Sequence, residues 1–500
     1  MIYKLRNIVI YIGIAIALII ATLNIVFQST IVDNISEHVD VIWQGLLYLL
    51  IEILIVLGII YFCKITQKFN IKNKKTKLII VEIVLFIYFI TQVAFINYRD
   101  AYPKYDQLSV YESAVSMYNN DKDALIHSNY LEKYPQQLTL ALAECGMFKL
   151  FGTTNVKVIQ YINAISNCFT VVAIILIAKL ITKKKENNLT LVAFSILTYL
   201  PLALLSTFVY GDEISIAFSL FSVYFIMKYK INKKVKYALI SAILMALSYI
   251  LRMNNLIFII AISMYLVFDI LKEIHQKLEK KQILIKTGIL LMFIVISLMP
   301  AKIIISKLQS EYELDPKGSI PVSNFLYMGM TEGYRNNGWY NDYGSWAWDN
   351  DEQTANEMYK TAIGERIKEF ASHPLYLAKF YMYKTASMWA ENTNAAIYYN
   401  QSFNFNENVN LDKDNEIVAK KNNIELFMKS LSIVIFGTLA FSLIINRKKM
   451  TDEALLLIII LIGGFLFHTI WEAKSRYILP YIVAIIPLLA LPIKINERKK

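Results

Sequence analysis

Runs of about 20 apolar residues recur along this chain, each long enough to cross roughly 30 Å of hydrocarbon as a helix. They fall at 7–27, 42–63, 78–97, 158–181, 189–209, 212–228, 236–251, 254–271, 284–304, 429–446, 453–471 and 476–493. Hydrophobic residues make up 56% of the 500, more than one water-soluble core of this size could hide. The sequence therefore predicts an all-α polytopic membrane protein with about 12 transmembrane helices. The first run follows Met1 to Arg6 without a small-residue cleavage site after it, so it is expected to stay as an anchor.

Orientation follows from the lysines. Lys4 and Arg6, the cluster at 64–77, Lys183 to Lys185, 228–236, 272–281, Arg447 to Lys449 and Arg498 to Lys500 all fall on one side if twelve spans alternate. By the positive-inside rule that side is the cytoplasm, which puts both termini inside. The opposite connections carry Asp33, Glu37, Asp40, Asp100, Asp106, Asp212 and Glu213. The net charge of +12 is then mostly cytoplasmic anchoring and calls for no nucleic-acid partner.

One apolar run does not fit this alternation. The stretch 137–151 is too short to span and carries Glu144 and Lys149. Counting it would invert every later loop, so it is expected to lie at the outer interface as an amphipathic helix. Two outer loops of substance result, 98–157 and about 306–428. The second has turn signals at 315–318 and 336–338 and a helical stretch over 352–370. His373-Pro374 breaks that helix, and a second, interfacial one resumes over 375–389. The expected organisation is an N-terminal two-helix addition (1–77), a membrane core (78–305), an extracytoplasmic module (306–428) and C-terminal membrane helices (429–500).

Several classes are disfavoured. Cys63, Cys145 and Cys168 have neither disulfide nor metal spacing, and the five histidines form no HxxxH. There is no phosphate-cradling GxxxxGK loop and no internal repeat. What stands out is a set of polar residues at the outer ends of spans. The stretch 98–112, YRDAYPKYDQLSVYE, places Asp100 and Asp106 just outside a span. Others are Gln136 and Gln137, Tyr210 to Glu213, Arg252 to Asn255, and Trp471 to Tyr477. Singly these are ordinary solvated turns. Together they place carboxylates and arginines at the bilayer rim, where unpaired charge is costly. Glu52 is different, an acid in mid-span, expected to be protonated or paired to a neighbouring helix.

These motifs carry a family resemblance. The aspartate after the third span, YLEKYPQQ at 130–137, TFVYGD at 207–212, LRMNN at 251–255, NGWYN at 337–341, HPLYLAKFYMYKTASMW at 373–389 and SRYILPY at 475–481 occur in one order and on one side. In this the chain from residue 78 onward resembles the GT-C glycosyltransferases of the family 39 type, which include protein O-mannosyltransferases and the aminoarabinose transferase acting on lipid A. The resemblance implies a GT-C-like fold, a polyprenyl-phosphate sugar donor and chemistry on the outer face of a plasma membrane. The acceptor would be a cell-envelope glycan, lipid or protein.

Displacing a phosphate from an anomeric carbon needs a base for the acceptor hydroxyl and a cationic clamp for the leaving phosphate. Asp106 matches the family position for the base, and Asp100, nearer the membrane, competes with it or pairs with Arg99. Arg252 and Arg476 are the phosphate candidates, with Lys474, Glu472 and Tyr477 beside them. The plain alternative is helix-end cations paired with Asp212 or Glu472. Asp212 would orient acceptor or sugar, Asn254 and Gln136 would bond sugar hydroxyls, and Trp339, Trp346 and Trp348 could stack on a sugar face. A divalent cation between Asp106 and the phosphate is compatible with this chemistry and not compelled by it. No metal site or other cofactor is read from the residues. Rival readings are a transporter or flippase for a lipid-linked glycan, a non-catalytic membrane scaffold, and a glycan polymerase or ligase.

Overall fold

A computed structural model describes residues 2–32, 36–67, 73–127, 129–182, 189–276, 280–401 and 411–492. In chain order the elements are α1 (Ile2–Val26), β1 (Phe27–Ile31), β2 (Val39–Trp43), α2 (Leu46–Thr66), α3 (Lys74–Arg99), α4 (Asp106–Asn119), α5 (Lys122–His127), α6 (Tyr130–Lys133), α7 (Leu138–Phe151) and α8 (Lys157–Ile181). There follow α9 (Leu189–Leu197), α10 (Leu200–Leu204), α11 (Asp212–Asn232), α12 (Val235–Leu251), α13 (Leu256–His275) and α14 (Lys280–Glu311). The segment expected to form the outer module holds α15 (Val322–Met328), α16 (Trp346–Asp349), α17 (Glu352–Ser372), α18 (Pro374–Trp389) and α19 (Ala396–Tyr399). The chain closes with α20 (Leu411–Asn446), α21 (Asp452–Ile470) and α22 (Leu479–Ile485).

The molecule is an α-helical integral membrane protein. Among the described residues nine helical segments are long and apolar enough to cross a membrane. Three of the twelve runs fall outside that group for identifiable reasons. Helix α12 has 17 residues, α13 carries Asp269, Lys272 and Glu273 near its end, and the last run is broken at Pro480 and Pro487 into short pieces. Helix α7, with 14 residues, is about 21 Å long and too short to span. The strands β1 and β2 pair antiparallel, Phe27 opposite Trp43 and Ile31 opposite Val39, and form a small hairpin between α1 and α2.

Two clusters of charge mark opposite ends of the bundle. At one end Asp269 bonds Lys286 at 2.7 Å, Lys230 lies 3.0 Å from Asp452, and Lys272 pairs with Asp452. These residues come from the end of α11, the end of α13, the start of α14 and the start of α21. At the other end Asp212, opening α11, meets Arg252, just after α12, and Arg476, just after α21. Helices α11, α13 and α21 therefore run pole to pole. Helices α11 and α12 are joined by small polar contacts, Ser219 to Ser248 at 2.6 Å and Ser222 to Ser241 at 2.9 Å, a close approach suited to helices in lipid.

The segment leading to Asp212 is irregular and buried. The helical run breaks between Leu197 and Leu200, just before Pro201, and after the short α10 a 3-10 turn over Leu205–Thr207 leads to Gly211. Bare carbonyls inside hydrocarbon need partners. One face of α8 supplies them, with Asn167, Asn163 and Gln160 spaced at helical intervals. Asn167 donates to the Leu202 carbonyl at 2.7 Å, Asn163 to Ser206 and Phe208 at 3.2 and 2.9 Å, and Gln160 to Thr207 at 3.0 Å.

Helix α1 packs along α20 and α21 inside the bundle, whereas α2 and α3 are mostly exposed. Glu52 of α2 is fully buried and lies 3.2 Å from Lys429 of α20, the paired arrangement anticipated for a mid-span acid. Helix α20 begins at Leu411, some 18 residues before the expected span, because its charged first half continues the same helix beyond the apolar run.

Candidate functional site

The site is built where the helix ends poor in lysine converge. Gly211 has φ +79°, and a Cβ there would stand 2.9 Å from Leu140 and 3.1 Å from the Leu251 carbonyl, so a side chain is excluded. This turn delivers Asp212 to the first position of α11, where the helix dipole favours a carboxylate. Arg476 Nη1 bonds Asp212 Oδ2 at 2.7 Å, and Arg252 Nε lies 3.4 Å from Oδ1. The Arg476 guanidinium is walled by the rings of Phe208, Tyr210, Tyr399 and Tyr477, all within 5.5 Å of its centre. Arg252 lies 4.5 Å over Tyr210.

A second ion pair sits beside the first. Lys474 lies 3.3 Å from Glu37, which also accepts from Tyr399 Oη at 2.6 Å. Burial alone would raise the Glu37 carboxyl, but Lys474, the Tyr399 hydroxyl, Arg335 and Arg476 hold it below the usual carboxylate range. Glu472 goes the other way. Burial pushes it up, with the Asp106 and Glu37 charges adding to the rise and Lys474 opposing. Burial works against the Lys474 ammonium, yet Glu37, with Tyr399, Tyr477 and Glu472, raises it well above the ordinary lysine value.

Asp106 opens α4 and is exposed. The residue before it, Tyr105, has φ 53° and ψ −135°, a conformation that non-glycine residues rarely hold and that costs of order 1–3 kcal/mol. Behind Asp106, Gln107 accepts from the Val209 amide at 3.1 Å, tying α4 to the Tyr210 segment. Burial is the main cause that raises the phenols of Tyr130, Tyr134 and Tyr340, and the Asp106 charge adds to each. The same two causes hold Tyr210 at about 12. Tyr210 also receives a hydrogen bond from Gln137 at 2.8 Å and lies 3.1 Å from the Tyr130 hydroxyl. The charge of an exposed carboxylate thus acts on tyrosine hydroxyls, of which Tyr210 lies against the Asp212–arginine cluster.

The other sequence candidates divide. Glu472, Lys474, Arg476 and Tyr477 lie together in the connection after α21. Asn254 is half-buried in the turn that opens α13. Gln136 is half-buried, and it is its neighbour Gln137 that reaches Tyr210. Asp100 stands apart, capping α3 in a left-handed conformation and bonding Lys157 at 2.6 Å, while Arg99 turns to Asp414 at 2.6 Å. Trp339 is buried and donates to Ser387 at 2.8 Å, and Trp346 packs on Tyr327 and Tyr359, so both belong to the module's interior. Trp348 is exposed and edges onto Tyr134.

Glu37 was not legible as a site residue, nor were Arg335, Tyr399 and the buried stretch 386–400. In that stretch Glu391 accepts from the Ala395 amide at 2.9 Å and Asn394 donates to the Ser475 carbonyl at 2.8 Å. Tyr199 donates to Asn394 at 2.7 Å and Thr207 to Asn400 at 2.8 Å. The one local signal was its composition, ENTN between apolar segments. Among the described residues no three His, Cys, Asp or Glu side chains are grouped to hold a metal ion. An apolar groove of about 440 Å³ between α13 and α14 starts at Leu256, just past Arg252 in the chain, and runs past Ile260 and Met264 to Leu271.

The fold and this cluster define a polytopic helical membrane protein with a charged, aromatic-walled site at one pole. The chain belongs to the family described as conserved hypothetical integral membrane protein, whose model matches residues 1–496. No curated protein and no solved structure matches it.

Proposed function

We propose that the protein is a GT-C-like glycosyltransferase of the plasma membrane, with twelve spans, both termini in the cytoplasm and its site on the outer face. It would move a sugar from a polyprenyl-phosphate donor to an acceptor hydroxyl. The observation that carries this reading is the exposed Asp106 carboxylate, whose charge acts on Tyr210, the ring that carries Arg252 of the Arg252–Asp212–Arg476 cluster. Asp106 takes the acceptor proton as the acceptor oxygen bonds the anomeric carbon. The bond from that carbon to the phosphate oxygen breaks, and its electron pair leaves with the polyprenyl phosphate. A single attack of this kind inverts the anomeric centre. Cationic groups at the pole stabilise the charge that grows on the phosphate. The groove beginning at Leu256, four residues past Arg252 in the chain, offers the lipid tail an apolar path.

The test is transfer of radiolabelled sugar from polyprenyl-phosphate donors by purified protein. Asp106→Asn should lower turnover by about 10²–10⁴-fold with folding intact. Turnover untouched by this change would remove Asp106 from the role of base. A transporter or flippase is the second reading, favoured by one observation. The interrupted helices, α9–α10 and the run containing α22, pack against each other, and broken helices are common at transport sites. Movement of the lipid-linked sugar across a vesicle bilayer without donor cleavage would select it.

A further inference from the structure

The cations of the pole that come from the membrane helices each carry an ion pair. Arg252 and Arg476 share Asp212, and Lys474 holds Glu37. Arg335, in the outer module between α15 and α16, has no ion pair among the described residues. Its Nε donates to the Ser36 carbonyl, and its guanidinium lies 4.8 Å from the centre of the Tyr340 ring and 5.2 Å from that of Tyr334. The terminal nitrogens Nη1 and Nη2 make no hydrogen bond to a described residue and are not sealed from solvent. The fork is therefore held in place with its bidentate edge open.

The location is as informative as the valence. The Arg335 charge acts on Glu37, Glu472 and Tyr340, and Tyr340 also feels Asp106. Tyr210 likewise feels Asp106 and carries Arg252 over its ring. Two of the tyrosines on which Asp106 acts are thus each backed by an arginine. A phosphate on Arg252 or Arg476 would share its cation with the Asp212 carboxylate and meet that like charge. Arg335 carries no such carboxylate among the described residues, and a planar guanidinium is the side chain best matched to two phosphate oxygens.

We propose that Arg335 binds the phosphate group of the substrate, so that the outer module supplies a cation shared with no described carboxylate. This rests on the lipid-phosphate reading above. The test is binding of radiolabelled farnesyl phosphate to the full chain in nanodiscs, with farnesol and inorganic phosphate as competitors. Arg335→Gln keeps an N–H for the Ser36 carbonyl while removing the charge. It should weaken binding about ten- to a hundredfold, as loss of a charged hydrogen-bond partner does, with an unchanged melting temperature. Arg335→Lys should fall between, and Lys379→Ala, at an exposed module position, should match wild type. Competition by inorganic phosphate as strong as by unlabelled farnesyl phosphate would assign the site to phosphate alone; weak competition would assign it to the lipid phosphate. Wild-type affinity in Arg335→Gln overturns the Arg335 assignment and leaves the functional reading standing. No binding by wild type overturns both.

Discussion

Asp212 is the residue on which the electrostatics of the pole turn. Its carboxylate is the shared counter-ion of two arginines, and Arg476 is almost wholly buried. Removing one partner of a buried pair leaves the other charge without compensation, which costs about 3–5 kcal/mol. Asp212→Asn keeps the shape and should lower the melting temperature of the detergent-solubilised protein by an amount corresponding to that loss. A variant as stable as wild type would mean that water already compensates Arg476. Asp106 presents the opposite case, because it is exposed and has no cation within ion-pair distance among the described residues. Asp106→Asn should therefore spare stability and remove activity, so the two aspartates separate a structural charge from a reactive one.

At the scale of elements, the site depends on an irregular stretch that helix α8 makes tolerable. Asn163 donates to two carbonyls, those of Ser206 and Phe208, just before the Tyr210–Asp212 turn. Asn163→Ala would leave both unpaired in a buried setting, at about 1–3 kcal/mol for each. The expected result is a lower melting temperature with Asn163→Ala and a near-normal one with Asn163→Gln if the longer amide still reaches. An unchanged Asn163→Ala would show that the stretch finds other donors. Arg252, Asp212 and Arg476 were legible in the sequence because each is a charge at the edge of an apolar run. The α8 ladder was not, since Gln160, Asn163 and Asn167 sit inside a run whose hydropathy reads as lipid-facing. Glu37 and Arg335 were hidden for another reason. Their partners lie hundreds of positions away, Lys474 for the one and Ser36 for the other, and no local pattern encodes such pairings. The early start of α20 was missed because its first half is charged and carries no hydropathy signal.

For the molecule as a whole, the two charge clusters are unequal in a way that bears on orientation. The pole with Asp269 and Asp452 gathers Lys230, Lys233, Lys272 and Lys286, whereas the pole with Asp212 balances arginines against buried acids. Lysine excess near span ends is the mark of the cytoplasmic side, so the Asp106 pole should face outward. Exposed positions at each pole make this measurable. Lys234 lies in the turn between α11 and α12, and Lys379 lies on α18, in the segment proposed to face outward. In a background with Cys63, Cys145 and Cys168 replaced, a membrane-impermeant maleimide should label Lys379→Cys on intact cells. Lys234→Cys should react only after permeabilisation. The reverse pattern would put the Asp106 pole in the cytoplasm, where an outer-face donor could not reach it, and the proposed reaction would fall with the topology. Labelling of both positions on intact cells would break the alternation itself, since α11 must then fail to separate the two poles.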